Sequence, residues 1–453
     1  MIKINSSIPY IFSLIIIYCI SASAQNSSEK LIMYIDVISL MPDSFIASAD
    51  SRHAAYVSRS SDKCLVVVDG IKDSVYDGIG KGSLIFSPDS KSTAYTAQTG
   101  SEWFVVVNGM KGKPYDGIMG GSVIFSPDGS RMAYAAKLGD KWLVVVDGKE
   151  GKQYDGIIDL KFSPNGKSVS YAAKLNNKYF LVTDEKEGKP YDIIGKGSLI
   201  YSPDGSKIAY AVYNANKWFI VVDGKEGKQY DGLGGLTFSP DSKKVAYFAE
   251  LQKKWFVVEN KKESSEYDDV SDITFSPDGK KLAYIANSGN KWFTVVDGKA
   301  NKQYDAVEGI TFSPDGNKFA YEAHSGKKWF IVADGKENKQ YDGIERGSLV
   351  FNPDGNDLAY IGKLGTELFV VDNGKEGKQY LLAGNLTFSP DGKRLAYWAN
   401  KGNEYFVVVN GKEKKAYESL ITKGGKIIFD TPDSLHYLAM RDDNIYLVEE
   451  TLQ

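Results

Sequence analysis

The stretch from Gly309 to Ile344 reads "GITFSPDGNKFAYEAHSGKKWFIVADGKENKQYDGI" and contains one complete structural unit of this protein. Three apolar runs, "ITF", "FAYEA" and "WFIVA", and a short "KQYD" are separated by Gly, Asp, Asn and Lys. Short apolar runs bounded by turn residues predict β-strands, and no run shows the i, i+3, i+4 pattern of a helix. The stretch therefore predicts four short strands, named a to d in chain order.

The same unit recurs along almost the whole chain. Its turn proline stands at positions 88, 127, 164, 203, 240, 277, 314, 353, 390 and 432, and Ala49 takes its place in the first copy. The period is 37 to 39 residues, with a last step of 42. Four strands in such a period are typical of a β-propeller blade. The sequence therefore predicts an all-β propeller of about eleven four-stranded blades.

The turns of the unit have the residues that tight turns prefer. "SPDG", as at Ser126 to Gly129, suits a type I turn between strands a and b. "DGKEGK", as at Asp147, supplies glycine for a hairpin between strands c and d.

The length of the unit varies in one place. From the turn position to the Tyr of strand d the spacing is 27 residues in all ten copies from Ala49–Tyr76 to Pro390–Tyr417, whereas the following gap ranges from 10 to 15. This predicts that the variation lies in the connection from strand d to strand a of the next blade. In a propeller this connection lies at the mouth of the central channel, and length variation on one face often marks a binding face.

The two ends of the chain predict how the propeller closes. Tyr34 belongs to an initial strand d, and "NIYLVEE" from Asn444 is a final strand c, so their pairing would remove two free edges. Eleven blades exceed the usual four to eight, which predicts two rings in tandem. The altered turn in "ENKKESSEYDD" from Glu259 places their boundary, giving one ring over residues 25–262 and a second over 263–453.

The first 24 residues predict a secretory signal peptide. They combine Lys3, an apolar run from Ile8 to Ile20 and the small residues Ala22-Ser23-Ala24. Cleavage after Ala24 would give a periplasmic or secreted protein without a transmembrane segment. The net charge of −3 for the whole chain does not favour nucleic acid as a partner.

Several recurring residues have both a structural and a functional interpretation. An aromatic residue begins most c strands and either stacks on sugars or packs between blades; Leu368 at the same place favours packing. The recurring Tyr-Asp pair and the Asp of each SPDG turn are expected to support the backbone. We find no catalytic or metal-binding motif and expect no cofactor. The aromatic positions are Trp103, Trp142, Trp218, Trp255, Trp292, Trp329, Tyr179 and Tyr405.

Three loops between strands d and a carry a cation among glycine and serine. They read "GKGS" at Gly80 and at Gly195, and "ERGS" at Glu345. Backbone N–H groups beside a cation can bind anions, although a flexible spacer would have the same composition. The candidate binding residues at the channel mouth are therefore Lys81, Lys196 and Arg346.

The segments "FSPDGKKLAY" (Phe275 to Tyr284) and "FSPDGKRLAY" (Phe388 to Tyr397) resemble the WD40-like propeller repeats of TolB-type proteins. The resemblance covers nearly all of the chain after the signal peptide, but the "KWFVVVDGKEGKQYDG" half of the unit differs, and the α/β domain of TolB is not found. It implies an exported propeller that binds proteins or envelope components. The sequence is also similar to the propeller of prolyl-oligopeptidase-type peptidases, without their hydrolase domain.

These observations together predict a non-enzymatic scaffold for protein–protein interaction in the cell envelope. The alternative is a carbohydrate-binding, lectin-like propeller, and a more remote one is a hydrolase or lyase with a site at the channel mouth.

Overall fold

The computed structural model describes residues 27–421 and 425–452. Within these ranges the chain forms only β-strands and turns, arranged as eleven antiparallel sheets. None of the described residues belongs to a helix that could cross a membrane. The predicted signal peptide, Met1 to Ala24, lies outside the described residues.

Each sheet is one blade with the strand order a-b-c-d. From blade 1 to blade 11, the b strands are Ala54–Ser60, Thr93–Thr99, Met132–Leu138, Val169–Leu175, Ile208–Asn214, Val245–Leu251, Leu282–Ser288, Phe319–Ser325, Leu358–Leu364, Leu395–Lys401 and Ser434–Arg441. The c strands are Lys63–Val68, Glu102–Val107, Lys141–Val146, Lys178–Thr183, Lys217–Val222, Lys254–Glu259, Lys291–Val296, Lys328–Ala333, Glu367–Asp372, Glu404–Val409 and Asn444–Thr451.

The outer d strands are shorter in most blades. In the same order they are Ile71–Lys72, Met110–Lys111, Lys149–Glu150, Lys186–Tyr191, Lys225–Glu226, Lys262–Glu263, Lys299–Ala300, Lys336–Glu337, Lys375–Tyr380, Lys412–Tyr417 and, for blade 11, Ser27–Tyr34.

Strand a is continuous in five blades and interrupted in five others. Blades 4, 6, 7, 8 and 10 have Gly156–Phe162, Gly232–Phe238, Asp269–Phe275, Ala306–Phe312 and Leu382–Phe388. Blade 1 has only Ile46–Ala47. Blades 2, 3, 5, 9 and 11 have two pieces each, which are Gly78–Ile79 and Ile85–Phe86, Gly117–Ile118 and Ile124–Phe125, Ile193–Ile194 and Ile200–Tyr201, Gly343–Ile344 and Val350–Phe351, and Ser419–Leu420 and Ile428–Thr431.

The two recurring turns form as predicted. In blade 3, Gly129 N–H donates to Ser126 O at 2.8 Å, and the Ser126 hydroxyl donates to Asp128 Oδ1 at 2.6 Å. Gly129 has a φ of 73°, a conformation that glycine adopts without the steric penalty of a Cβ. Asp147 and Gly148 both have positive φ, as a type I′ hairpin turn between strands c and d requires.

A single ring of eleven blades closes through the two ends of the chain. Strand d of blade 11, at the start of the described chain, pairs with the last c strand, with Ser27 opposite Glu450 and Tyr34 opposite Asn444. The closing joint is packed like the others, because Met33 of blade 11 and Tyr56 of blade 1 share one apolar cluster. The predicted all-β propeller of eleven four-stranded blades is confirmed.

The predicted division into two rings, over 25–262 and 263–453, is not observed. Val257 of blade 6 packs with Tyr284 of blade 7 in one buried cluster, so the ring continues across the proposed boundary. The altered turn at Glu259 remains a hairpin, since Asn260 and Lys261 adopt the positive φ that glycine supplies elsewhere. The loss of the turn glycine therefore did not mark a change of ring.

Neighbouring blades are joined at the outer rim by a repeated Tyr–Glu hydrogen bond, here named the rim latch. The Tyr at the end of strand d, or four residues after it, donates its hydroxyl to a Glu on strand d of the next blade at 2.6–3.0 Å. A Lys two residues before the Tyr approaches the same carboxylate. The pairs are Tyr115–Glu150, Tyr154–Glu187, Tyr191–Glu226, Tyr230–Glu263, Tyr304–Glu337, Tyr380–Glu413 and Tyr417–Glu29.

Five of these seven Tyr residues are followed by an Asp, which supports the backbone, as predicted. Asp155 of blade 3 pairs with Lys141 of its own strand c, and its second oxygen accepts a hydrogen bond from Asn176 N–H of blade 4 at 2.9 Å. The contact connects strand d to the b–c turn of the next blade.

The rim latches predict destabilisation in acid. The Lys and Tyr partners lower the pKa of Glu150, and hydrogen bonds from Arg441, Lys415 and Tyr417 lower the pKa of Glu29 to about 2, from an ordinary 4.5. Because these folded-state pKa values are depressed, the stabilisation is complete above about pH 4.5 and is lost as pH falls toward 2. We expect the urea midpoint to drop between pH 5 and pH 3 (roughly the carboxylate range). A midpoint unchanged over that interval would contradict the role of the latches.

Candidate functional site

The inserted residues lie within strand a and not in the connection that precedes it. In blade 2, Gly80 N–H still donates to Thr96 O of strand b, and Ser83 N–H donates back to Gly80 O at 3.1 Å. Blade 4, which lacks the insertion, has a bulge in the same part of strand a, where Asp159 has a φ of 57°. The predicted location is thus corrected: the extra residues enlarge a bulge that the uninterrupted strands already contain.

Lys81, Lys196 and Arg346 are all exposed, but they lie on blades 2, 5 and 9 and do not form one cluster. Within the described part of the chain, Lys81 and Lys196 form no ion pair with a carboxylate. Arg346 Nε lies 3.3 Å from Glu308 Oε2 of blade 8. Among the described residues, Arg346 therefore faces a carboxylate, whereas Lys81 and Lys196 do not.

Lys196 lines a groove of about 520 Å³ between blades 5 and 6. The groove is bounded by the segments 195–198 and 232–236, by Trp218 and Trp255, and by Ala211. Small residues of two blades line it: Ala211 of blade 5, a position that is Ala in blades 3 and 4 but Phe248 and Trp398 in blades 6 and 10, and Gly232, Gly234 and Gly235 of blade 6. Its lining is apolar apart from Lys196, Ser198 and the backbone.

The recurring tryptophans agree with packing between blades. They are half-buried, and Trp142 packs with Ile157 of the next blade in a shared apolar cluster. Trp218 and Trp255 also belong to such clusters, while part of each ring borders the groove.

One acidic cluster between blades 8 and 9 was missed by sequence reasoning. Glu322 on strand b is 2% exposed and lies opposite Glu308 of strand a, and its Oε1 has no hydrogen-bond partner among the residues that the structure describes. Burial raises the pKa of its carboxyl to about 7; nearby Glu308 adds to the shift, and Arg346 opposes it. The sequence did indicate this residue, because "FAYEA" has Glu322 at a position where blades 7 and 9 have Ile285 and Ile361.

A further surface covers the outer rim of blades 11, 1 and 2. We call it the apolar rim and define it as Leu31, Ile71, Val75 and Met110, whose side chains are 55–75% exposed. Its d strands are neighbours: a Cβ added at Gly70, beside Ile71, would lie 3.6 Å from Met33 Cβ, and one added at Gly109, beside Met110, would lie 3.1 Å from Asp73.

The apolar rim departs from the repeat in charge as well. Ile71 and Met110 stand where blade 5 has Lys225, and the next residues, Lys72 and Lys111, replace the Glu of the rim latch. Apolar side chains flanked by lysines thus replace an alternation of Lys and Glu.

Among the described residues, no group of three or more His, Cys, Asp or Glu side chains could hold a metal ion.

No family model matches the sequence. A search of curated proteins also found no match. The TolB-type resemblance therefore has no support from a family model. Solved structures do match the chain, although at low sequence identity, and a β-propeller is among them.

Three of those structures illustrate the likeness. The chain is 15% identical to a eukaryotic initiation factor, covering 74% of this chain and 96% of that one with a TM-score of 0.42. It is 12% identical to the Dos1 propeller, covering 73% of this chain and 92% of that one with a TM-score of 0.33. It is 16% identical to the β-propeller domain of the Trilobed protease from Pyrococcus furiosus, covering 57% of this chain and 95% of that one with a TM-score of 0.28. At these TM-scores the likeness says nothing about function.

Proposed function

We propose that this protein is an exported, non-enzymatic β-propeller that serves as a protein–protein interaction scaffold in the cell envelope. The observation that supports this most is the apolar rim, which exposes four large apolar side chains on neighbouring strands. A contiguous exposed apolar surface in a soluble protein commonly marks an interaction site.

The repeat makes the apolar rim informative. Exposed edge strands promote aggregation, and charged residues on the edge normally prevent it. Lys149, Lys225, Lys299 and Lys375 provide such charges on the d strands of other blades. Blades 1 and 2 have Ile71 and Met110 there, so an exposed apolar side chain replaces the charge that discourages edge-to-edge association. Lys72 and Lys111 favour a protein partner that carries carboxylates around an apolar centre.

Export is supported by the pattern of Met1 to Ala24. We expect the mature chain, isolated from the periplasm or the culture medium, to begin at Gln25. Intact-mass measurement of the fractionated protein tests this. A chain that keeps Met1 and stays in the cytoplasm would contradict export.

The interaction is tested by restoring the repeat residue at the apolar rim. In the double variant Ile71→Lys and Met110→Lys, both positions receive the residue that most other blades carry, so folding should be preserved. We expect the double variant to capture at least ten-fold less of the envelope proteins that bind the wild type. Its melting temperature should equal that of the wild type.

The matched control is Lys225→Glu, a charge change at the same position of blade 5. It should retain the captured proteins. Equal capture by the wild type and the double variant would contradict docking on the apolar rim.

A further inference from the structure

We infer that the groove between blades 5 and 6 is a saccharide-binding site. The inference goes beyond the scaffold function and is independent of the apolar rim, which lies on other blades. A cavity of about 520 Å³ falls within the range of small-molecule sites, about 300–1,000 Å³.

Both tryptophans of the groove are half-buried, and part of each indole lines it. A Cβ added at Gly195 would lie 3.4 Å from Trp218 Cζ3, so glycine leaves space beside this ring that another residue would partly fill. A Cβ added at Gly232 would first meet Glu250 Oε2 at 2.8 Å, with Trp255 Cη2 at 3.7 Å, so the Glu250 side chain lies beside this glycine. The C–H face of a sugar ring packs on such aromatic surface, as apolar groups do on the faces of aromatic side chains.

The groove also offers both donors and acceptors. Strand a of blade 6, Gly232–Phe238, pairs with strand b only, so the N–H and C=O groups of its other edge are available to a ligand. Lys196 supplies an ammonium group at one side. Sugar hydroxyls both donate and accept hydrogen bonds, so they can satisfy this mixture.

The loop that carries Lys196 is held in place by the protein. Gly197 N–H donates to Asp159 Oδ2 of blade 4 at 2.6 Å, and the Ser198 hydroxyl donates to Gly195 O at 2.6 Å. Lys161 of blade 4 also donates to Leu199 O at 2.6 Å. A loop fixed from the preceding blade loses little conformational freedom when a ligand binds.

The repeat suggests a substitution that should fill the groove with a side chain that another blade already has at the same position. Blade 9 has the same interrupted strand a, and its Ser348 hydroxyl accepts from Ile361 N–H as Ser198 accepts from Ala211 N–H. Ala211→Ile therefore installs the blade 9 residue in blade 5. It should fill space in the groove and preserve the fold.

The experiment applies the wild-type protein to an immobilised array of neutral, amino and acidic glycans, followed by calorimetric titration with the best binder. We expect Ala211→Ile to lower the affinity for that glycan at least ten-fold, and Trp218→Ala to lower it similarly. Lys196→Glu should weaken the binding of acidic glycans more than the binding of neutral ones.

Two controls separate binding from folding. Ile361→Ala, the reverse change in blade 9, and Lys81→Glu, in the equivalent loop of blade 2, should leave glycan affinity unchanged. Thermal unfolding of every variant is measured beside binding. Absence of glycan binding by the wild type would overturn the inference, as would affinity that survives in a folded Ala211→Ile variant. Either result leaves docking on the apolar rim to be judged by its own variants.

Discussion

Replacing Met33 with Asp is expected to open the ring. Met33 is 2% exposed and packs with Tyr56, Val67 and Leu438 between the last blade and the first. A carboxylate there would be buried without a partner, which costs on the order of 4 kcal/mol and exposes the edge of the last c strand. We expect a large fall in melting temperature and concentration-dependent association, measured by calorimetry and sedimentation velocity.

Tyr34 is the matched control for this change. It follows Met33 on the same strand but is 59% exposed. Tyr34→Asp introduces the same charge next to the joint and should leave the melting temperature within about 2 °C, as surface substitutions usually do. If both variants behaved alike, closure of the ring through this strand would be refuted.

Removing the charge of Glu322 is expected to stabilise the protein at alkaline pH. Its folded-state pKa is about 7 and the ordinary value is 4.5, so the folded protein holds the proton more tightly than the unfolded chain. Stability is therefore complete below about pH 4.5 and is lost as pH rises through 7. The loss reaches about 3 kcal/mol at most, at 1.36 kcal/mol per pKa unit. We expect Glu322→Gln to raise the urea midpoint at pH 8.

The pH dependence distinguishes this account from a general packing effect. At about pH 4 Glu322→Gln should match the wild type, because the wild-type carboxyl is then mostly protonated in both the folded and the unfolded state. Glu322→Ile, which copies blades 7 and 9, should also gain stability at pH 8. The exposed Glu102→Gln is the control and should change little at either pH. A gain that is the same at both pH values would show that the charge of Glu322 is not responsible.

The repeat made much of the fold predictable. Strand boundaries follow from apolar runs between turn residues, and the Ser126–Gly129 turn forms as its composition requires. The number of rings was not predictable in the same way. Every blade presents nearly the same residues to its neighbours, so the sequence does not distinguish a joint within a ring from a place where one ring ends. Packing of Val257 with Tyr284 carried that information.

The candidate site was only partly predictable. The exposed loops of Lys81, Lys196 and Arg346 could be read from their composition, but a groove beside Lys196 depends on which residues of two blades face each other. Strand pairing within blade 6 sets Gly232 opposite Glu250 and Glu250 opposite Trp255, whereas packing of blade 5 against blade 6 brings Trp218 to the same groove. Such coincidence of small residues becomes visible only in three dimensions.

The central claim is that all eleven blades form one closed ring, and single-particle electron microscopy of the purified protein tests it most directly. We predict class averages viewed along the axis that show eleven blades around one central channel. Averages that show two smaller rings side by side, or an arc with a gap between the first and last blades, would contradict the account.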